Sequence, residues 1–306
     1  MKTVVFAYHD MGITGLQALK RAGFTMAAVF SHEDDPQENC WFGSVRDWAK
    51  AEQIPLYCPQ DVNQPVWFEK IAALAPEIIF SFYYRNLLAP EILAIPPAGA
   101  FNLHGSLLPA YRGRCPVNWV LVKGEEETGV TLHRMVGRAD AGEIVAQMSV
   151  PVAFEDTARS LYGKLCGQAA RMLAEVLPAL KEGRALLRPQ DLQAGSYFGG
   201  RTPEDGRIDW QWPALQIYNL IRAVTEPYPG AFTVLAKGEK MIVWWALPEA
   251  GGRSRPAGTL EREGEAAFMI AGDGGRLRLL DIEIQGKRLR NGEIGQYFQE
   301  RIEDET

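Results

Sequence analysis

Apolar and polar positions in the first hundred residues fall into alternating blocks of two kinds. Residues 3–7 form a short β-branched and apolar run closed by a polar turn, and residues 15–22 carry helical spacing that stops at Gly23. The same alternation continues with a buried strand at 24–30, a helix at 44–53, a short strand at 55–58, a helix at 66–74, and strands at 77–82 and 99–103. Strands alternating with helices of about ten residues predict βαβ units and a mostly parallel α/β sheet of Rossmann-like appearance.

Beyond Trp119 the pattern changes. Residues 129–136 and 143–150 read as two alternating strands around a Gly-Arg-Ala-Asp-Ala-Gly turn, which predicts a hairpin-like pair at the sheet margin, and 156–180 read as one long helix. Residues 183–206, rich in Arg, Pro, Gly and Gln, read as a linker between an N-terminal domain of residues 1–182 and a C-terminal domain of residues 207–306. In the latter, a helix at 212–223 and short strands at 231–235, 240–246, 266–270 and 277–284 with Gly-rich turns predict a small β-barrel or open β fold.

Composition narrows the partners. The chain has 306 residues, 47% hydrophobic and 23% charged, with a formal charge of -6. A pI near 5.4 makes a polyanion an awkward partner, so no nucleic acid is expected. Cys40, Cys58, Cys115 and Cys166 are scattered, with no CxxC pair and no histidine at ligand spacing, so free thiols, a reducing compartment and no metal are expected. No apolar stretch is long enough to span a bilayer and the first strand begins without a leader pattern, so no membrane partner and a cytoplasmic location are expected.

Candidate chemistry gathers in FNLHGSLLPAYRGRCPVNW, residues 101–119. Ligands of parallel sheets bind beyond the carboxyl ends of the strands, and alternation turns Asn102 and His104 to the same side. His104 reads either as a base or oxyanion donor or as a hydrogen-bonded histidine that shapes the loop. His32 and His133 read as structural or solvated, and His9, just after the first strand, can touch a ligand. Asp140, in the GRADAG turn, reads as a turn-former or as the carboxylate that orients an imidazole and raises its pKa. The turn after the first strand lacks a complete GxGxxG, so no dinucleotide site is expected.

Together, that segment, TGVTLHRMVGRADAGEIVAQ and RTPEDGRIDW resemble the folate-dependent formyltransferase family, in order and across nearly the whole chain. The resemblance implies the formyltransferase fold with an OB-like C-terminal domain, 10-formyltetrahydrofolate as formyl donor, and Asn102, His104 and Asp140 as the catalytic trio. It implies folate contacts at Asn86, Leu87, Leu88 and Arg114 and at the backbone of Val136, Gly137, Arg138 and Ala139. Within the family, KTVVFAYHDMG and SFYYRNLL look most like the formyltransferase domain of bifunctional polymyxin-resistance enzymes, which formylates UDP-4-amino-4-deoxy-L-arabinose for lipid A modification. A nucleotide-sugar amine is then the expected acceptor, with Met11, Gly12, Asn118 and Arg201 as candidate contacts to its diphosphate side. Those enzymes carry a further NAD-dependent dehydrogenase domain. Its sequence is not in this chain, so no NAD site is expected here, and the chain is expected to be a monomer or weak dimer that stands alone or belongs to such a fusion.

Three rival activities share the motifs: formylation of another nucleotide-linked amino sugar, formylation of methionyl-tRNA, and hydrolysis of formyltetrahydrofolate. The tRNA reading needs a basic surface, whereas residues 205–306 hold 13 Lys and Arg against 16 Asp and Glu. A folate-binding module without catalysis would leave the Asn102, His104 and Asp140 set a coincidence.

Overall fold

The apolar run KTVVFA forms a strand buried from Thr3 onward, as expected where helices cover both faces of a parallel sheet and no polar alternation is required. The computed structural model describes residues 1–34, 39–236, 238–251 and 255–303. In chain order its elements are β1 (Lys2–Ala7), α1 (His9–Arg21), β2 (Thr25–Phe30), α2 (Val45–Ala51), β3 (Leu56–Tyr57), α3 (Pro65–Ala73), β4 (Ile78–Phe82), α4 (Pro90–Leu93), β5 (Ala100–His104) and β6 (Arg112–Gly113). There follow α5 (Pro116–Lys123), β7 (Glu127–Arg134), β8 (Ile144–Pro151), α6 (Ala158–Lys181), β9 (Tyr197–Phe198), α7 (Ala214–Val224), β10 (Ala231–Val234), β11 (Lys240–Glu249), β12 (Leu260–Glu263), β13 (Ala266–Ile270), β14 (Arg276–Ile284), β15 (Lys287–Arg290) and α8 (Gly292–Glu303).

Two compact units share the chain in an interleaved way. The first comprises Met1–Pro116, Glu127–Pro151 and Tyr162–Gly199; the second comprises Val117–Glu126, Val152–Leu161 and Gly200–Thr306.

In the first unit a seven-stranded sheet runs in the order β3-β2-β1-β4-β5-β7-β8. The pairs up to β4–β5 are parallel, and β5–β7 and β7–β8 are antiparallel. Val4, Phe6, Phe30, Ile71 and Ile79 are wholly buried in one core cluster. Each such side chain contributes about 1.5–3 kcal/mol of burial, and together they hold the strand ends in register. The order reverses between β1 and β4, so the crevice of this sheet opens where those strands deliver Tyr8–His9 and Tyr83–Tyr84. Helix α1 starts at His9, six residues before its apolar spacing becomes readable. Its first turn is secured by Asp10, which accepts the Gly43 N–H (2.8 Å), and by the Met11 N–H, which donates to the Tyr162 hydroxyl (2.8 Å).

The second unit is an antiparallel sheet in the order β10-β11-β14-β13-β12, with β15 also on β14. Its strands β12 (LERE) and β15 (KRLR) and the helix α8 are not predicted from the sequence. Each of these strands pairs on one side only and carries mostly charged residues, so its periodicity is faint. Among the described residues no helix is long and apolar enough to cross a membrane.

Candidate active site

Strand β7 lies antiparallel to β5 with Asn102 opposite His133 and His104 opposite Thr131. Residues directly opposite share a face, so two side chains from each strand converge at the carboxyl end of β5. Thr131, fully buried, ties down the chain that leaves β5: its hydroxyl donates to the Ser106 carbonyl (2.7 Å) and accepts the Leu108 N–H (3.1 Å). Gln147 of β8 adds a bond to the Leu108 carbonyl (2.8 Å).

The loop then turns back over His104. Its Nε2–H donates to the Tyr111 carbonyl at 2.8 Å, while the Tyr111 N–H donates to Ser196 Oγ at 2.9 Å and the Tyr111 ring stacks on Phe198. The β6–β9 pairing continues this strap. Gly113 is required there: its φ is +97°, and a Cβ would lie 2.2 Å from the Phe198 carbonyl oxygen. Its N–H donates to Asp140 Oδ2 at 2.9 Å.

Asp140 sits at φ +52°, a left-handed position that Asp tolerates better than most residues, and its carbonyl accepts from Gln190. Its Oδ1 lies 3.6 Å from His104 Nδ1, 3.3 Å from His133 Nε2 and 3.4 Å from Asn102 Nδ2. Burial pushes the Asp140 carboxyl up, but His104, His133 and the Gly113 N–H pull harder, so it lies well below the usual carboxylate range and is ionised. For His104, burial is the largest influence and lowers the pKa; Asp140 and the Tyr111 carbonyl oppose it without reversing it. The expectation that Asp140 raises the imidazole therefore holds only for that one influence, and the ring rests neutral.

The Asn102 amide nitrogen faces a carboxylate oxygen and an imidazole nitrogen at once. Nδ2 to His133 Nε2 is 3.3 Å, Nδ2 to Asp140 Oδ1 is 3.4 Å and Nε2 to Oδ1 is 3.3 Å, a nearly equilateral triangle with a corner of about 60° at the amide nitrogen. The two N–H bonds of a planar amide diverge by about 120°, so when one hydrogen points to Asp140 the other is directed away from it. That second N–H is a donor for something else.

His133 is the residue that the sequence reading set aside. It is fully buried, and its ring meets Asn102 and Asp140. The signal for it was register: once β7 pairs with β5, position 133 must face position 102. His9 is the second histidine of interest. At φ +67° it stacks on Phe42 with centroids 3.6 Å apart, edge-on to Trp41 and Tyr162. Burial, aided by Arg85, lowers its pKa to about 3, and its Nδ1 has no hydrogen-bond partner.

The other sequence-expected residues fall into two groups. Asn86, Leu87, Arg114, Val136, Gly137 and Arg138 are exposed, with Ala139 and Leu88 half-buried. Asn63 clamps 87–89 through the Leu87 carbonyl and the Ala89 N–H, and Leu88 and Met135 pack on the same core cluster, so the segments 86–88 and 136–139 flank one side of the sheet. Leu87 at 72% and Val136 at 42% exposure leave apolar surface uncovered on that flank. Met11 and Gly12 instead spend their N–H groups on the Tyr162 hydroxyl and the Tyr8 carbonyl. Asn118 and Arg201 belong to the second unit, where Asn118 donates to the Ala223 carbonyl and Arg201 donates to the Asp205 carbonyl and lies over Trp119. Among the described residues, neither Met11 nor Gly12 joins the Asp140 cluster. Among the described residues no cluster of metal-ligating side chains occurs.

Comparison with known proteins adds the relationship. Residues 1–177 match the family described as Formyl transferase, and residues 201–294 match Formyl transferase, C-terminal domain. The fold resembles that of an N-formyltransferase from Helicobacter canadensis, solved in complex with folinic acid and dTDP-3-aminofucose, with a TM-score of 0.73 and 20% identity over 91% of this chain and 98% of that one. It also resembles WlaRD, a sugar 3N-formyltransferase solved with dTDP and 5-N-formyl-THF, with a TM-score of 0.71 and 19% identity over 94% and 98% of the two chains. A third similar structure is a likely sugar N-formyltransferase from Mycobacterium tuberculosis, with a TM-score of 0.63 and 19% identity over 84% and 99%.

Proposed function

The chain belongs to the formyl transferase family, and from that premise we propose that it transfers a formyl group from 10-formyltetrahydrofolate to the primary amine of a nucleotide-linked amino sugar. The observation that carries this reading is the convergence of Asn102, His104 and an ionised Asp140 at the end of β5. The folate and dTDP-sugar ligands named for the similar structures support the substrate classes.

The reaction forms a bond from the amine nitrogen to the formyl carbon and breaks the bond from that carbon to folate N10. The amine loses a proton and N10 gains one. Negative charge gathers on the formyl oxygen between these events, and meeting it with preorganised donors is the largest single contribution to rate. Asn102 offers the N–H that Asp140 leaves over. His104 offers Nε2, where the Tyr111 carbonyl stands at 2.8 Å in the position an oxyanion would take. With substrate in place of that carbonyl, the neutral ring moves its single proton from Nε2 to Nδ1, facing Asp140, takes the amine proton on the freed Nε2 and returns it to N10. Asp140 stabilises the imidazolium between the two transfers, as a carboxylate does in a Ser-His-Asp triad.

The uncovered Leu87 and Val136 suit the pterin, the backbone of Val136–Ala139 suits its hydrogen-bonding edge, and Arg114 suits the carboxylates of the folate tail. We assign the acceptor to the crevice between the ends of β1 and β4, where His9, Trp41, Phe42 and Tyr162 form an aromatic enclosure suited to a nucleobase. The finer assignment rests on the sequence likeness to the formyltransferase domain of the bifunctional polymyxin-resistance protein ArnA: the acceptor is UDP-4-amino-4-deoxy-L-arabinose, and the product is UDP-4-deoxy-4-formamido-L-arabinose. A second reading, a dTDP-linked amino hexose, draws on the ligand of the Helicobacter enzyme.

The deciding assay follows formyl transfer to the UDP-pentose, to a dTDP-amino-hexose and with no acceptor. Preferential turnover of the UDP-pentose is expected. Preference for the hexose would replace the acceptor, and formate release without acceptor would replace transfer by hydrolysis.

A further inference from the structure

The turn that carries Asp140 is closed at its neck. There the Arg134 N–H donates to the Glu143 carbonyl (2.8 Å), and Gly142 lies so close to the Arg134 carbonyl oxygen that a Cβ would come within 2.0 Å of it. Beyond the neck Val136, Gly137 and Arg138 are exposed, and among the described residues nothing lies within 4 Å of a Cβ placed on Gly137. Asp140 nevertheless holds a φ of +52°, a conformation that persists in a residue other than glycine only where its surroundings enforce it.

The enforcing contact comes from a distant segment. Arg188 and Ile144 exchange both backbone hydrogen bonds in antiparallel register (2.9 and 2.7 Å), which brings Gln190, two residues on, beside Gly142. The Gln190 side chain faces the carbonyl oxygens of Asp140 (3.1 Å) and Gly142 (2.5 Å). Both can only accept, so the amide must present Nε2 to them and spend one N–H on each. Its Oε1 is buried and, among the described residues, has no hydrogen-bond partner, so this amide bonds through its two donors alone.

Rotating the peptide that follows Asp140, the motion that would relieve the left-handed backbone, would turn the Asp140 carbonyl off Nε2. On the other side of the same Cα the carboxylate is held by the Gly113 N–H at 2.9 Å. Between these two holds, Oδ1 stays 3.6 Å from His104 Nδ1 and 3.4 Å from Asn102 Nδ2.

We propose that Gln190 is a positioning residue of the transfer: by binding the Asp140 and Gly142 carbonyls together, it holds the Asp140 backbone in the conformation that aims the carboxylate at His104. Gln190 acts through Asp140 and not on a reacting atom. The inference rests on the proposed formyl transfer and deepens it by a residue 50 positions along the chain from the one it serves.

The test uses the full chain with 10-formyltetrahydrofolate and whichever amino-sugar nucleotide it turns over. Gln190→Met keeps the length of the side chain and removes both donors. Its kcat is expected to fall roughly tenfold or more while KM for the amino-sugar nucleotide changes little. Gln190→Glu has the same shape and, ionised, no donor, so an equal fall separates lost bonds from lost packing. In an Asp140→Asn background the Met substitution should change kcat no further, because the carboxylate it aims is gone. Wild-type kcat in either folded variant would overturn the proposal, as would a Met effect in the Asp140→Asn background as large as in the wild type. If neither variant folds, hydrogen exchange of the wild type decides. The Gln190 side-chain amide protons are expected to exchange roughly tenfold or more slowly than those of an exposed glutamine, and equal rates would refute the arrangement. A wild-type chain that transfers no formyl group would instead overturn the proposed function, a result separate from the exchange rates.

Discussion

Asn102 on β5 and His133 on β7 stand opposite one another in antiparallel register, amide nitrogen to ring nitrogen at 3.3 Å. An amide in a strand is ordinarily free to rotate about its last bond. Here one N–H is committed to the Asp140 carboxylate, so the remaining N–H has a fixed aim. For Asn102→Ala we expect kcat to drop by about 10²–10³, near 3 kcal/mol of barrier, as for loss of one oxyanion donor. Steady-state kinetics checks it; a change confined to KM would make Asn102 a binding residue instead.

Replacing His104 removes the imidazole that faces Asp140 and bonds the Tyr111 carbonyl. His104→Ala is expected to lower turnover by about 10²–10⁴ while the circular dichroism spectrum stays that of the folded protein. Wild-type turnover in a folded variant would remove His104 from the mechanism.

Gly113 joins the strap to the carboxylate. In Gly113→Ala the new Cβ would lie 2.2 Å from the Phe198 carbonyl at a φ of +97°. The backbone must shift, at a cost of about 1–3 kcal/mol in stability, and the N–H held by Asp140 shifts with it. A lower urea midpoint together with a lower kcat is expected; an unchanged kcat would mean that the Gly113 contact does not hold Asp140 in place.

Stability should fall with acid in two stages. His9 and His104 titrate below the ordinary imidazole value in the folded chain, so below about pH 6.5 the unfolded chain binds more protons than the folded one. Stability therefore declines as pH falls through this range, and for His9 the decline continues to about 3. Asp140, also depressed, adds its loss below its ordinary value of about 3.8. Urea midpoints measured from neutral pH to about pH 4 should fall less steeply for His9→Phe than for the wild type. Equal slopes would mean that His9 is already charged in the folded chain.

The donor surface can be tested without disturbing the fold. Leu87 is 72% exposed, so Leu87→Asp should change stability by no more than about 0.5 kcal/mol. The same change should raise KM for the folate substrate roughly tenfold and leave kcat within about twofold, the pattern for loss of uniform binding. An unchanged KM would move the pterin elsewhere.

Much of this arrangement is legible before any coordinates. The apolar runs of β1, β2 and β4 announce a sheet buried on both sides, and alternation alone turns Asn102 and His104 toward one place. What stays hidden depends on contacts between distant positions. His133 sits in a run of buried residues and gains its meaning only from the pairing of β7 with β5. The hold of Ser196 on Tyr111 spans 85 residues, and nothing in either local pattern points to the other. Strands β12 and β15 are missed for a different reason: with one neighbour each and mostly charged side chains, they lack the burial that writes a strand into a sequence.

The interleaving of the two compact units bears on how this chain can be handled. The backbone passes between them five times, after residues 116, 126, 151, 161 and 199. A single protease cut, or one stop codon, does not release either unit whole. A fragment ending near residue 200 would carry 117–126 and 152–161 away from the remainder of their own unit, leaving Asn118 without the Ala223 carbonyl that its amide holds. Expression of the catalytic half alone therefore calls for new surfaces at those two segments.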